Sequence, residues 1–294
     1  MVEGGVVVNA IATTPASASL ARDIRREVRL GTLRALGSTL MTFALTIVTV
    51  LVVWVGAIKV FGLSPYIAKG PADVWDYLVS GEKAVANREV IFGHLGETLR
   101  DALVGFTAGL VLALTVAVVF HLSKGVEQAL MPLALLLRSV PLVAFAPVII
   151  LIFGRDFWTV AVMGGIVVLF PALVSIAFGL KAASPHMNDL VDVYGGGPAA
   201  KLRKVAFPAS LPSFFAAVRI SAPGAITGAL LAEWLATGGG IGGVVNGYLS
   251  SAQFSALWAS VVVVTAVSLV LYNVVLVVEN VVLARMGMHP EKRV

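Results

Sequence analysis

Three ionisable residues interrupt stretches that are otherwise apolar: Arg138 within Leu130 to Gly154, and Arg219 and Glu233 within Ser213 to Ala236. A charge held in hydrocarbon is unfavourable, so each must pair, reach an interface or meet a polar cargo. Arg138 lies close to Pro141 and Pro147, where the helical hydrogen-bond ladder is interrupted. Irregular backbone at that depth is tolerated only against protein or a water-filled cavity. Either an anionic cargo meets the cation and free backbone donors there, or Arg138 pairs with a carbonyl or acid of a neighbouring helix. At 1.5 Å per residue, Arg219 stands about 10 Å and Glu233 about 31 Å along a helix begun at Pro212. Each is then placed either to anchor at an interface, Arg219 by snorkelling inwards and Glu233 near the outer surface, or to act in transport. His94, His121, His186 and His289 lack metal-ligand spacing, and Ser, His and Asp occur in no nucleophile-elbow context. Cysteine is absent, which removes disulfide frameworks and thiolate metal sites. The run "TGGGIGG" (237–243) lacks the Lys-Ser or Lys-Thr of a phosphate loop and reads as a flexible outer turn. No catalytic residue, no metal site and no paired intramembrane charges are evident.

The elements that must position these residues are set by composition. The chain of 294 residues is 59% hydrophobic and 13% charged, with a mean hydropathy of +0.96, more apolar surface than one soluble core of this size buries. Six all-α membrane spans are expected, at about 35–58, 102–123, 130–154, 157–180, 213–236 and 254–282. With a cytoplasmic N-terminus, six cations (Lys59, Lys69, Lys83, Arg88, Arg100 and Arg155) fall outside, and the larger number fall inside. That asymmetry obeys the positive-inside rule, so the net charge of +5 reflects topology rather than nucleic-acid binding. Residues 1–34 form a cytoplasmic basic tail, read either as an amphipathic helix carrying Leu20, Ile24 and Val28 or as a solvated segment. Residues 35–286 make up the spanning domain, and 287–294 a second cytoplasmic tail. Phe61 to about Gly96 is the longest outer connection, with a short amphipathic helix after the Gly70-Pro71 break bearing Val74, Tyr77 and Leu78.

The inner connection, 181–212, contains "VYGGGPAAKLRKVAFPASLP" (193–212). Ser184 and Pro185 supply an N-cap and a first-turn proline, so a helix begins there. Met187, Leu190, Val191 and Tyr194 recur on one face, Asn188, Asp189 and Asp192 on the other, and Gly195 to Pro198 end it. Such a helix is too short to span a membrane, and its apolar face needs a partner: either the chain's own inner surface or a groove on another cytoplasmic protein.

At these residues the chain resembles the permease subunit of binding-protein-dependent type I ABC importers. That family's loop carries Glu-Ala-Ala, three residues, Gly, nine residues, then Ile, any residue, Leu-Pro. Here Asp189, Leu190 and Val191 stand at the triplet, Gly195 at the glycine, and Val205, Ala206, Phe207 and Pro208 at the end. The spacing is kept and the triplet letters are not. "LRSVPLVAFAPVIILIFG" (137–154), "FPALVSIAFGLK" (170–181) and "AEWLATGGGIGG" (232–243) extend the likeness over about Gly62 to Met286, nearest the nitrate, sulfonate and taurine branch. The resemblance implies a multi-pass protein of the bacterial cytoplasmic membrane with both termini cytoplasmic and no ATPase activity of its own. The implied partners are a pair of cytoplasmic ATPases that bind ATP and Mg, a second permease copy or paralogue, and an extracytoplasmic solute-binding protein. It assigns docking on the ATPase to Met187, Leu190, Val191 and Tyr194, with Asp189 as polar anchor and Gly195 as the turn. Lys201, Arg203 and Lys204 would meet acids on the ATPase or anionic lipid heads. Pro208 and Pro212 would break the following helix and start the fifth span. The competing expectation is a secondary transporter or channel that needs no ATPase.

Overall fold

The fold comes from a computed structural model that describes Met41 and residues 45–288. The basic tail expected at 1–34 and the start of the first span lie outside the described residues, as do 289–294. The described chain is helical, without a strand. Residues up to Ser64 form one unit, whose described part contains the apolar helix α1, Leu45–Val60.

The second unit begins at Pro65. After a short helix α2 (Pro71–Trp75), continued by a π-helical turn over Asp76–Ser80, comes α3 (Ala84–Leu122). Helices α4 (Lys124–Arg138) and α5 (Leu142–Phe153) follow, then α6 (Phe157–Lys181). Two short helices, α7 (Pro185–Val193) and α8 (Pro198–Lys201), lead through a π turn at Leu202–Ala206 into α9 (Phe207–Ala232). A second π turn at Glu233–Thr237 precedes α10 (Gly240–Ser250), and α11 (Phe254–Arg285) ends the unit.

Four helical runs are long and apolar enough to cross a membrane: α3, α6, the run Pro198–Thr237, and α11. The stretch expected as one span at 130–154 is instead a pair, α4 and α5, bent by 104°. Pro141 has no N–H to continue the ladder, and Val140 N–H turns back to the Leu137 carbonyl at 3.2 Å. The outer connection expected as far as Gly96 becomes helical at Ala84. Its charged residues hide a helical repeat, because Ile91, Leu95, Thr98 and Ala102 all face inwards. A polar segment beyond the hydrocarbon can still be helix.

The centre of the unit is α6, whose most apolar window is 50% buried, against 11% for α11. Glycine permits this. A Cβ on Gly105 of α3 would stand 2.7 Å from the Cα of Gly164, and one on Gly228 of α9 would stand 2.8 Å from the same atom. Three backbones therefore meet at one level, the small-residue packing by which helices associate without a hydrophobic drive. Towards the α7 end, Phe120, Ile176 and Leu180 fill the space beside small residues of α3 and α9. Towards the α10 end, Ala146 and Ile149 of α5 pack on Val160 and Met163 of α6 and Ala232.

Gly164→Leu should therefore lower the thermal midpoint of the detergent-purified protein, since overpacking costs about 1–3 kcal/mol. Gly93→Leu, where an added Cβ meets nothing within 4 Å, should leave it within error.

Candidate functional site

The segment joining α6 to α9 builds its geometry locally. Ser184 stands at the N-cap of α7 with Pro185 in the first turn. At the other end Gly195 adopts φ +75°, where a side chain is strained. Gly196 N–H reaches the Val191 carbonyl and Gly195 N–H the Asp192 carbonyl, both at 2.8 Å. This paired return closes a helix that must turn sharply.

The exposed apolar side chains of α7 and its cap are Met187 (51%), Leu190 (50%), Val193 (82%) and Tyr194 (84%). None is buried by the chain itself. Val191, expected on that face, is half-buried against Gly196, and Val193 takes its place in solvent. Asp189 is exposed.

The cations beyond the turn divide. Lys201, expected to face a partner's acids or lipid heads, instead bonds Asp192 of its own loop at 2.6 Å. Arg203 and Lys204 are exposed, while Val205 is buried. Pro208 and Pro212 do not break the helix as expected: Pro198–Thr237 is one run. The π turn admits one extra residue, with Phe207 N–H bonding the Leu202 carbonyl, so the missing donor of Pro208 falls where the ladder has already changed step. Beside this loop, His121, Lys124, Asn188, Pro198 and Lys201 line a cavity of about 340 Å³.

The residues expected along a pathway are placed very differently from one another. Arg138 ends α4 at the bend, exposed and without an ion pair among the described residues. The cavity of about 220 Å³ next to it is apolar, lined by Leu137, Val140, Phe145 and Phe170 among others. Pro141 caps α5 and Pro147 lies within it. Arg219 does not snorkel: its Nη1 meets Glu279 Oε2 of α11 at 2.7 Å, and its guanidinium lies 5.8 Å from the Tyr272 ring centre. A charge pair between two helices of spanning length thus exists where the sequence showed none. Glu279 escaped notice because it stands one residue past an unbroken apolar run.

Glu233, expected near the outer surface, is fully buried. Its Oε2 accepts from Thr98 Oγ1 at 2.9 Å and from Gly242 N–H at 2.8 Å. Beyond α9 the chain folds back as α10 and covers the site. The glycine run read as a flexible turn is thereby ordered: Gly238 has φ +75°, Gly240 N–H donates to Glu97 Oε2, and Ile241 N–H donates to Thr98 Oγ1. Glu97 and Thr98 gave no signal in the sequence, since only the fold brings them beside a residue some 135 positions away.

The profile of the family described as "Binding-protein-dependent transport system inner membrane component" matches residues 105–287. The chain is similar to a formylaminopyrimidine transport permease of Halalkalibacterium halodurans, 24% identical, covering 79% of this chain and 91% of the relative. A riboflavin transport system permease of Chloroflexus aurantiacus is 28% identical, covering 68% of this chain and 74% of its own. A putative aliphatic sulfonates transport permease of Escherichia coli is also 28% identical, covering 75% and 80%.

Removing one partner of a buried ion pair strands the other, at a cost of about 3–5 kcal/mol. Arg219→Ala should lower the thermal midpoint accordingly, and Arg219→Met with Glu279→Leu should recover most of the loss in a double-mutant cycle.

Proposed function

Since the chain belongs to the family of binding-protein-dependent transport system inner membrane components, we propose that it is the six-span permease subunit of an ATP-driven importer, with α7 as the helix that docks on a cytoplasmic ATPase. The observation that carries this reading is the uncovered apolar face of α7, held out by a closed glycine turn between the two most central helices. A stripe of that spacing fits a groove on a separate protein. In this assignment Met187, Leu190, Val193 and Tyr194 give contact area, and Asp189 and Arg203 lie at its rim. The unbroken run from Pro198 to Thr237 then carries motion of the loop to the far end of the bundle as a rigid rod.

The α7 end faces the cytoplasm and the α10 end faces out, with both termini inside. One copy forms half of a pathway, completed by a second identical or paralogous permease. ATP and Mg bind the partner ATPases, and an external binding protein delivers the solute. The bent pair counts as one span and α1 as the end of the first, which brings the total to six. The relatives are named for solutes as different as formylaminopyrimidine, riboflavin and aliphatic sulfonates. Cargo is therefore assigned as a small solute, with sulfonate, nitrate and taurine the class nearest the sequence motifs.

The test is uptake of the ligand identified in the co-purified binding protein, together with ATP hydrolysis by the whole complex. Leu190→Asp buries a charge in the docked face, and Gly195→Val forces a β-branched residue to φ +75°. Both should reduce uptake and stimulated hydrolysis by at least about tenfold, as loss of a central interface contact of 1.4 kcal/mol or more would, while membrane insertion is kept. Unchanged uptake in both variants, or uptake by the isolated chain on an ion gradient alone, would overturn the reading.

A further inference from the structure

Helix α10 has no cap of its own, because Gly239 occupies the N-cap position and offers no side chain. The N–H groups of its first three residues are satisfied from elsewhere. Gly240 donates to Glu97 Oε2, Ile241 to Thr98 Oγ1 and Gly242 to Glu233 Oε2, each at 2.8 Å. Thr98 Oγ1 in turn donates to Glu233 Oε2 at 2.9 Å, so one buried carboxylate oxygen gathers α3, the end of α9 and α10. Acidic groups at a helix N-terminus also complement its dipole. The packing leaves no slack: a side chain at Gly240 would run into the Glu233 carboxyl, and one at Gly242 into its Cβ. On either side of the cap residue Gly239, Gly238 and Gly240 have φ +75° and +56°, a pivot about which an unfastened α10 would swing.

Resting on the permease reading for its orientation, we infer that Glu233 and Thr98 are positioning residues that fasten α10 to α3. The outer end of the pathway then moves with α3 throughout the cycle and does not hinge separately at Gly238–Gly240. The acceptor oxygen is the operative group, since both hydrogen bonds converge on Oε2.

The sequence has no cysteine, so one introduced thiol is a clean reporter. Ile241→Cys, at a position 1% exposed, should react slowly with a water-soluble maleimide in membranes. Adding Glu233→Ala should speed labelling by at least about tenfold, the effect of losing buried hydrogen bonds worth 1.4 kcal/mol or more. Glu233→Gln keeps an acceptor oxygen and should stay within about twofold of the parent, while Thr98→Val should fall between. Ala117→Cys, fully buried on α3, should remain protected in every background and so separates local release from unfolding. In the complex with its cognate ATPase, the Ile241→Cys reporter should label equally slowly without nucleotide and when trapped with ATP and vanadate.

Labelling of Glu233→Ala at the parental rate, or of Glu233→Gln as fast as Glu233→Ala, would overturn the inference. So would faster labelling of the parent on trapping, or exposure of the Ala117→Cys reporter in both the Glu233→Ala and Thr98→Val backgrounds. The first comparison needs no ATPase, so its failure is distinct from failure of the importer reading, which the uptake of the Leu190→Asp variant decides.

Discussion

Backbone contact at Gly164 is the constraint on which the second unit depends. With Gly105 on one side and Gly228 on the other, α3 and α9 approach α6 as closely as peptide atoms allow. In lipid, apolar side chains gain little by leaving one hydrocarbon environment for another, so close backbone approach must supply much of what burial supplies in water. The central triplet then fixes where both functional ends fall. The helix ends at Leu122, Lys181 and Phe207 bring the α7 loop together, and Thr98 and Glu233 meet at the opposite end because α3 and α9 already run side by side.

Ionisable groups within the apolar helices follow the same economy in different ways. Arg219 is neutralised by Glu279 across α9 and α11, the arrangement expected where both charges are largely withdrawn from water. Glu233 has no ion-pair partner among the described residues and is held by a hydroxyl and a backbone amide instead. Near the α7 end, Lys181 pairs with Glu127 and ties α6 to α4. Arg138 is the exception, standing exposed at a bend with an apolar cavity next to it.

How much of this was legible depended on whether the signal was local. The start of α7 at Ser184–Pro185 and its end at Gly195 were readable, because capping and left-handed backbone are decided within four or five residues. The positions of α6 and α11 were readable from unbroken apolar runs. The bend at Pro141 was half-readable: the missing N–H marks a break, but the 104° angle comes from what α5 packs against. Glu279 and the Glu97–Thr98 pair were not legible, since their importance lies in partners 60 to 143 positions away. The prolines at 208 and 212 misled: the π turn absorbs the first, and the second lies inside α9 without ending it.

Those wider turns have a consequence for how the chain tolerates change. Helix α9 is bracketed by two of them, Leu202–Ala206 and Glu233–Thr237, each the trace of one residue more than the α repeat requires. One residue rotates a helix by about 100°. A π turn spreads one extra residue over a wider turn, so deleting a single position in either bracket would restore the α ladder and leave the side chains beyond it facing nearly as before, whereas a deletion inside α9 would turn them by that angle. The azimuth of the α7 loop against the bundle, and that of Glu233 against α3, is therefore buffered at the brackets and sensitive to residue count within α9.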